Sequence, residues 1–136
     1  MKVLVDTSVW SYALRHKGAF NNHPSVSILQ DLIDQEEDIR ILGLIIQEIL
    51  SGIRKEGDFE KLREYLQDIP MVEPERIDYE NAANLRNKLL KKGIQTTTVD
   101  ALIASYSIRN EIFLLTADKD FLRLARFTNL KLLWEG

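Results

Sequence analysis

Lys2-Val3-Leu4-Val5-Asp6-Thr7-Ser8-Val9-Trp10 is the stretch on which the fold turns. The short Val-rich run Lys2–Val5 reads as a strand. Asp6-Thr7-Ser8 closes it with residues that favour the cap of a following helix. The rest of the chain continues that alternation. Helical pattern fills Val9–Leu14 and, after a turn-forming loop from Gly18 to Pro24, resumes with Val26, Ile28, Leu29, Leu32 and Ile33. Ile39–Leu42 reads as a second strand, Leu44–Arg54 as a helix with Ile46, Ile49, Leu50 and Ile53 as its apolar stripe, and Phe59–Ile69 as another helix. Pro70 and Pro74 confine a short strand at Met71-Val72. Glu75–Lys92 is the longest helical pattern, apolar at Ile77, Ala82, Leu85, Leu89 and Leu90, and Gly93 stops it. A helix from Thr96-Thr97-Thr98 to about Arg109, a buried strand at Ile112–Leu115, a helical stretch at Asp118–Phe127 and a last strand at Leu130–Trp134 follow. The alternation predicts one α/β domain over residues 1–136, a three-layer sandwich whose mostly parallel central sheet of four to five strands is flanked by helices.

Composition narrows the chemistry. The chain has 136 residues, 45% apolar and 29% charged, enough for one buried core. It has no cysteine, which removes disulfides, thiolate zinc sites, iron–sulfur clusters and a cysteine nucleophile together. His16 and His23 are the only histidines, and both sit in or beside a polar loop, where a solvated surface role is expected. A bound metal would therefore take oxygen ligands, which points to magnesium or manganese. The 18 basic and 21 acidic residues give a net charge of −3, so the bulk charge gives no reason to bind nucleic acid. The longest uncharged apolar stretch, Ile41–Ile46, is far short of the ~20 residues a membrane span needs. Asp6 falls too early for a signal-peptide core, so a cytosolic protein without membrane contact is expected.

Several site types are absent. Gly52 and Gly57 have the spacing of a P-loop, but Asp58 stands where its lysine belongs and a helix rather than a strand precedes it. Neither a Gly-x-Gly-x-x-Gly fingerprint nor a Gly-x-Ser-x-Gly elbow occurs. Acid–base chemistry must run on carboxylates.

Four acids sit in suggestive places. Asp6 follows the first strand and Asp118 the strand Ile112–Leu115, at the carboxyl ends where open α/β sheets place ligands. Capping is the competing role for both, and for Asp120, two residues on, it has a slight edge. Asp100 lies in the first turn of its helix, where Thr97-Thr98-Val99-Asp100 is a variant of the capping box and an acid complements the helix dipole by ~0.3–1 kcal/mol. Its face is shared with Ala104 and Ser107, small residues that leave room for a ligand. Glu48 points away from the apolar stripe of its helix, with Gly52 one turn on; a glycine inside a helix costs ~1 kcal/mol and often marks close access. Two unit charges ~4 Å apart repel by ~4 kcal/mol at an effective dielectric of about 20. Four carboxylates sharing a crevice thus call for protons or a cation, and magnesium suits such a site because it takes a few carboxylates and keeps several waters.

Met1–Trp10, Gln47-Glu48-Ile49-Leu50-Ser51-Gly52, Asp100-Ala101-Leu102-Ile103-Ala104 and Leu114-Leu115-Thr116-Ala117-Asp118-Lys119-Asp120-Phe121 together resemble, in order and spacing, the motif blocks of PIN-domain ribonucleases, especially VapC-type toxins. The resemblance implies a PIN-like fold and cleavage of RNA by water activated on Mg²⁺ or Mn²⁺. Matched by motif, Asp6, Glu48, Asp100 and Asp118 form the catalytic and metal-binding acidic quartet, with Asp120 accessory and Thr7, Ser8 and Thr116 as polar neighbours. It also implies a tRNA or rRNA substrate, a VapB-type antitoxin partner and a homodimer. Among the basic residues, Lys119, Arg15 and Arg123 are candidates for phosphate contact, Lys119 foremost because it stands between two acids. Two other classes fit the layout less well. A phosphoacceptor receiver-like module wants paired acids after the first strand, where only Asp6 stands; a non-catalytic RNA-binding module is the other alternative. A haloacid-dehalogenase-like phosphatase needs an Asp at the place of Ser8. Setting the five candidate acids aside leaves a slightly basic remainder, so the negative total does not argue against an RNA partner.

Overall fold

Parallel pairing along both edges of β1 (Lys2–Val5) organises the molecule, whose computed structural model describes residues 1–15 and 23–136. In chain order there follow α1 (Thr7–Arg15), α2 (Pro24–Asp34), β2 (Asp38–Leu42), α3 (Gly43–Leu50), α4 (Glu56–Gln67), β3 (Met71–Val72), α5 (Arg76–Lys91), α6 (Thr98–Arg109), β4 (Phe113–Leu115) and α7 (Lys119–Ala125). The four strands lie in the order β3-β2-β1-β4, all parallel, with Val5 opposite Leu115 and Leu4 opposite Arg40. Val3, Leu4, Val5, Ile41, Leu42, Leu114 and Leu115 are wholly buried, which is what a parallel sheet clothed by helices requires. Trp10, Ile45, Ile103 and Phe121 complete that core. The predicted α/β sandwich and its four-stranded parallel sheet are as expected.

Several local expectations are corrected. The predicted strand at Leu130–Trp134 is reduced to a single bridge, Leu114 to Leu132. Adjacent residues of a strand turn their backbone groups to opposite edges, and β1 already occupies one edge of β4. Leu114 alone then serves the other edge, donating to Lys131 O at 2.9 Å and accepting from Leu133 N at 3.0 Å. The helix predicted through Arg54 ends at Leu50. Gly52 is outside it with φ of 89°, so its glycine meets a turn and not a helical access requirement. On α5, Ile77 and Leu90 are 43% and 60% exposed, so the apolar side is narrower than expected: Ala82 and Leu89 are buried and Leu85 half-buried. Ala104 and Ser107 do not open a ligand face on α6, because every residue from Ala101 to Ser107 is buried. Ala104 packs into the main core and Ser107 Oγ donates back to Ile103 O at 2.8 Å, while Ala101 and Leu102 pack with Ala82 of α5. His23 is no solvated surface group: its Nδ1 accepts from Ser25 N as the cap of α2, and its ring stacks on Tyr12 at 4.0 Å and meets Trp134 edge-on. His16 and nearly all of the Gly18–Pro24 loop lie outside the described residues.

Three helices end in the same hydrogen-bonded turn. Ile94 N reaches Leu89 O, Glu37 N reaches Leu32 O and Ile112 N reaches Ser107 O, with Gly93, Glu36 and Glu111 respectively in the left-handed conformation. Only the first uses glycine. At the start of α5, the wholly buried Asp78 accepts from Glu75 N at 2.8 Å and is gripped by Arg109 Nε at 2.6 Å and Nη2 at 2.9 Å. Burial pushes the Asp78 carboxyl up, but the bonds from Arg109 and Glu75 outweigh it and hold the pKa below its ordinary 3.8.

Two stability predictions follow from these contacts. Asp78→Ala should destabilise by about 2–4 kcal/mol in urea unfolding at pH 7, between the loss of a helix cap and of a fully buried ion pair. Because the Asp78 pKa is depressed, its contribution is present above 3.8 and lost as pH falls through the lowered value, so the penalty should fade in strong acid. Glu111→Gly should stabilise by about 1 kcal/mol by relieving the left-handed backbone; an unchanged or lowered urea midpoint would contradict it.

Candidate active site

Asp6 is the first residue past β1, and Asp6 N donates to Leu115 O at 2.9 Å, which seats it in the seam between β1 and β4. Its side chain is 6% exposed. Oδ2 accepts from Ser8 Oγ at 2.8 Å and from Thr116 Oγ1 at 3.0 Å. The two hydroxyls lie 3.3 Å apart, Ser8 Oγ accepts from Ala117 N, and Thr116 Oγ1 accepts from Asp118 N, both at 3.0 Å. A short web of neutral groups thus fixes an acid and the backbone leading to Asp118. Burial raises the Asp6 pKa above 3.8, with the Ser8 and Thr116 bonds pulling the other way.

Asp118 caps α7, its Oδ1 accepting from Asp120 N at 2.9 Å. Asp100 enters from the first turn of α6, its N–H held by Thr97 Oγ1 at 3.0 Å, which is the Thr97 half of the expected capping box. Asp120, in the first turn of α7, accepts from Arg123 Nη2 at 2.8 Å. Asp100, Asp118 and Asp120 each offer a carboxylate oxygen such that all three lie within 4.8 Å of one another. Half-burial, then the charges of Asp118, Asp6 and Asp120, push the Asp100 pKa up to about 6, against the bond from Thr97. Three carboxylates this close, with the charge of Asp6 also reaching Asp100 and only oxygen donors among them, suit a hard divalent cation such as Mg²⁺ or Mn²⁺.

Of the other anticipated residues, Glu48 is exposed and outside the three-acid group, but Thr7 Oγ1 donates to its Oε1 at 3.1 Å and ties it to the same end of the sheet. Capping and clustering are divided: Asp118 does both, while Asp120 joins the cluster and pairs with Arg123. Lys119 is exposed at the first position of α7. Arg123 lines a recess of about 760 Å³ that opens beside Asp100 and Asp120, and Lys119 does not. The side chain of Arg15, like His16 and Lys17, falls outside the described residues. Sequence reasoning missed Arg86, Asn87 and Gln95, which line the same recess. The only signal for them was that Gly93 and Thr97 bracket a connection leading to Asp100.

Known proteins share the sequence pattern and the fold of this chain. The family model described as PIN domain matches residues 3–127. Over 131 residues, 95% of this chain and 96% of the relative, the chain is 28% identical to ribonuclease VapC11 of Mycobacterium tuberculosis, and equally so to a VapC ribonuclease of Mycobacterium bovis. The fold is similar to that in the crystal structure of VapBC2 from Rickettsia felis bound to a DNA fragment from their promoter, with a TM-score of 0.76, 24% identity and 97% of each chain covered. It is also similar to VapC20 of Mycobacterium tuberculosis, a toxin cleaving the sarcin–ricin loop, with a TM-score of 0.62, 15% identity, and 90% and 94% of the two chains covered.

The electrostatics make a stability prediction. An acid whose folded pKa is raised favours the folded state below its ordinary 3.8, and that contribution is lost as pH rises through about 6. In EDTA, the melting temperature should therefore fall between pH 4 and 7.5, and Asp100→Asn should melt higher than the parent at pH 7.5 with little difference at pH 4. Mn²⁺ should raise the parent's melting temperature at pH 7.5 more than that of the variant. Melting curves that are parallel across this pH range would contradict the proposed repulsion.

Proposed function

Because the chain belongs to the PIN domain family, we propose that it is a divalent-metal-dependent endoribonuclease and the toxin of a toxin–antitoxin pair. The observation that carries the reading is the convergence of Asp100, Asp118 and Asp120 within 4.8 Å, beside a buried Asp6 whose charge reaches Asp100. The 28% identity to VapC ribonucleases over nearly the whole chain supports the same activity. A bound Mg²⁺ or Mn²⁺ would lower the pKa of coordinated water and offset the charge that builds on a phosphodiester under attack.

The chain's own residues supply the rest. Ser8 and Thr116 hold the Asp6 carboxylate in one orientation without adding positive charge, so it remains available as an anionic ligand. With its pKa pushed up to about 6, Asp100 would have to give up a proton to hold a cation in mild acid, so activity should fall on acidification. Asp118 and Asp120 complete the carboxylate set, and Glu48, oriented by Thr7, adds a further acid at the same end of the sheet. Arg123 and Lys119 are the basic groups beside it for the RNA backbone. The proposal extends to a tRNA or rRNA substrate, a VapB-type antitoxin, a homodimer and a cytosolic location. The match to VapBC complexes in fold supports the antitoxin. No helix among the described residues is long and apolar enough to cross a membrane.

Cleavage of RNA in Mn²⁺ should vanish in EDTA and drop by on the order of 100-fold or more in Asp6→Asn and Asp100→Asn, each removing about 3 kcal/mol or more of transition-state stabilisation. Thr116→Val, which removes a donor that orients Asp6, should cost roughly 10-fold to 100-fold. Circular dichroism should match the parent in all three. Undiminished cleavage by either Asn variant would overturn the assignment.

A further inference from the structure

We infer that the recess beside the acids is a binding site for an unpaired RNA nucleotide, with Arg86, Asn87 and Gln95 as its recognition residues. The inference rests on the ribonuclease reading and names where that substrate lies. The recess, about 760 Å³, falls within the ~300–1,000 Å³ typical of ligand pockets. It runs between the end of α5, the connection 92–97, the first turn of α6 and α7, with Asp100 and Asp120 among its lining residues. A group bound there is continuous with one at the carboxylates.

The lining has the chemistry of a nucleotide. Leu90, Ile94 and Leu124 supply apolar surface, and Leu90 is 60% exposed, an apolar side chain that a stacked base would cover. Arg86 donates from Nε to Thr96 O at 2.9 Å and from Nη1 to Thr98 Oγ1 at 3.2 Å. These two bonds fix the plane of a side chain that would otherwise lose considerable rotamer freedom on binding, and a fixed guanidinium plane is a surface on which bases stack. Asn87 and Gln95 each offer an amide, one carbonyl acceptor and two N–H donors, the complement of a Watson–Crick edge. Arg86 and Arg123 place positive charge where a phosphate chain approaching four acids needs it. In an A-form duplex the base edges are stacked and paired, so only an unpaired nucleotide presents an edge to a recess of this kind.

Two measurements test this. Binding of a short, fluorescently labelled single-stranded RNA is followed by anisotropy in EDTA, where affinity is read without cleavage. Cleavage of the same RNA in Mn²⁺ is then resolved into kcat and KM. Asn87→Ala combined with Gln95→Ala should weaken binding and raise KM by roughly tenfold or more, the loss of two net hydrogen bonds, with kcat within about twofold of the parent. Arg86→Lys, which keeps charge but loses the plane, should weaken binding while retaining the fold by circular dichroism. A duplex of the same sequence should bind less tightly than the single strand and be indifferent to the Asn87 and Gln95 changes. Unchanged binding and KM in the double variant overturn the inference while leaving the ribonuclease reading intact. Equal sensitivity for the duplex overturns the claim that the nucleotide is unpaired. A parent chain that neither binds nor cuts RNA overturns both readings.

Discussion

One carboxylate oxygen, Asp6 Oδ2, holds the acidic end of this protein together. It takes hydrogen bonds from Ser8 at the start of α1 and from Thr116 past β4, and those same hydroxyls fasten the backbone of Ala117 and Asp118. Acids at neighbouring strand ends repel, and something must keep them close. Beside Asp6 an arginine or lysine would do so only by cancelling charge that a cation would otherwise meet, as Arg123 does in part at Asp120. Hydroxyls do so with dipoles alone, at about 1 kcal/mol net per neutral bond and more to a charged acceptor. The Ser and Thr around Asp6 are therefore as much a part of the site as the acids.

The arrangement leaves an energetic deficit that the rest of the fold offsets. Helix α6 shows both sides of this. At its N-terminus Asp100 meets three like charges, helped by the Thr97 cap and by the positive end of the helix dipole. Near its C-terminus Arg109 closes on the buried Asp78, a pair complete in its hydrogen bonds. Between the two ends the helix is buried at every position from Ala101 to Ser107, so it cannot shift to relieve the repulsion without opening the core. Packing, and not local preference, keeps Asp100 where the other acids are.

What was legible in the sequence, and what was not, follows from the range of the interactions. Strand–helix alternation and the places of Asp6, Asp100 and Asp118 rest on local patterns, apolar runs followed by capping residues, and the structure has them. Gly93 announced the end of α5, but Glu36 and Glu111 close the same kind of turn without glycine, since the hydrogen bonds of the turn outweigh the backbone strain. The burial of Asp78 depends on Arg109, 31 residues on, and no local pattern reports such a pair. Ala104 and Ser107 misled for a related reason. Small residues on a helix signal either an open space or a close neighbour, and only tertiary packing decides which. The three-acid group shows the same division: the spacing of Asp118 and Asp120 is local, while Asp100 reaches them only through the way α6 meets α7.

The recess and the acids are linked by one short piece of backbone. Gly93 in its left-handed conformation turns the chain off the end of α5, and Thr97 four residues later caps α6. Within that connection Thr96 O receives Arg86, while Thr97 Oγ1 receives the N–H of Asp100. Two consecutive residues thus set a wall of the recess and the position of an acid that lines it. Any change that moves this connection moves both. The lining of the recess and the carboxylate group share this segment, so a change at the Gly93 turn or the Thr97 cap moves both, whereas exposed positions such as Asn87 and Gln95 can vary without shifting the carboxylates.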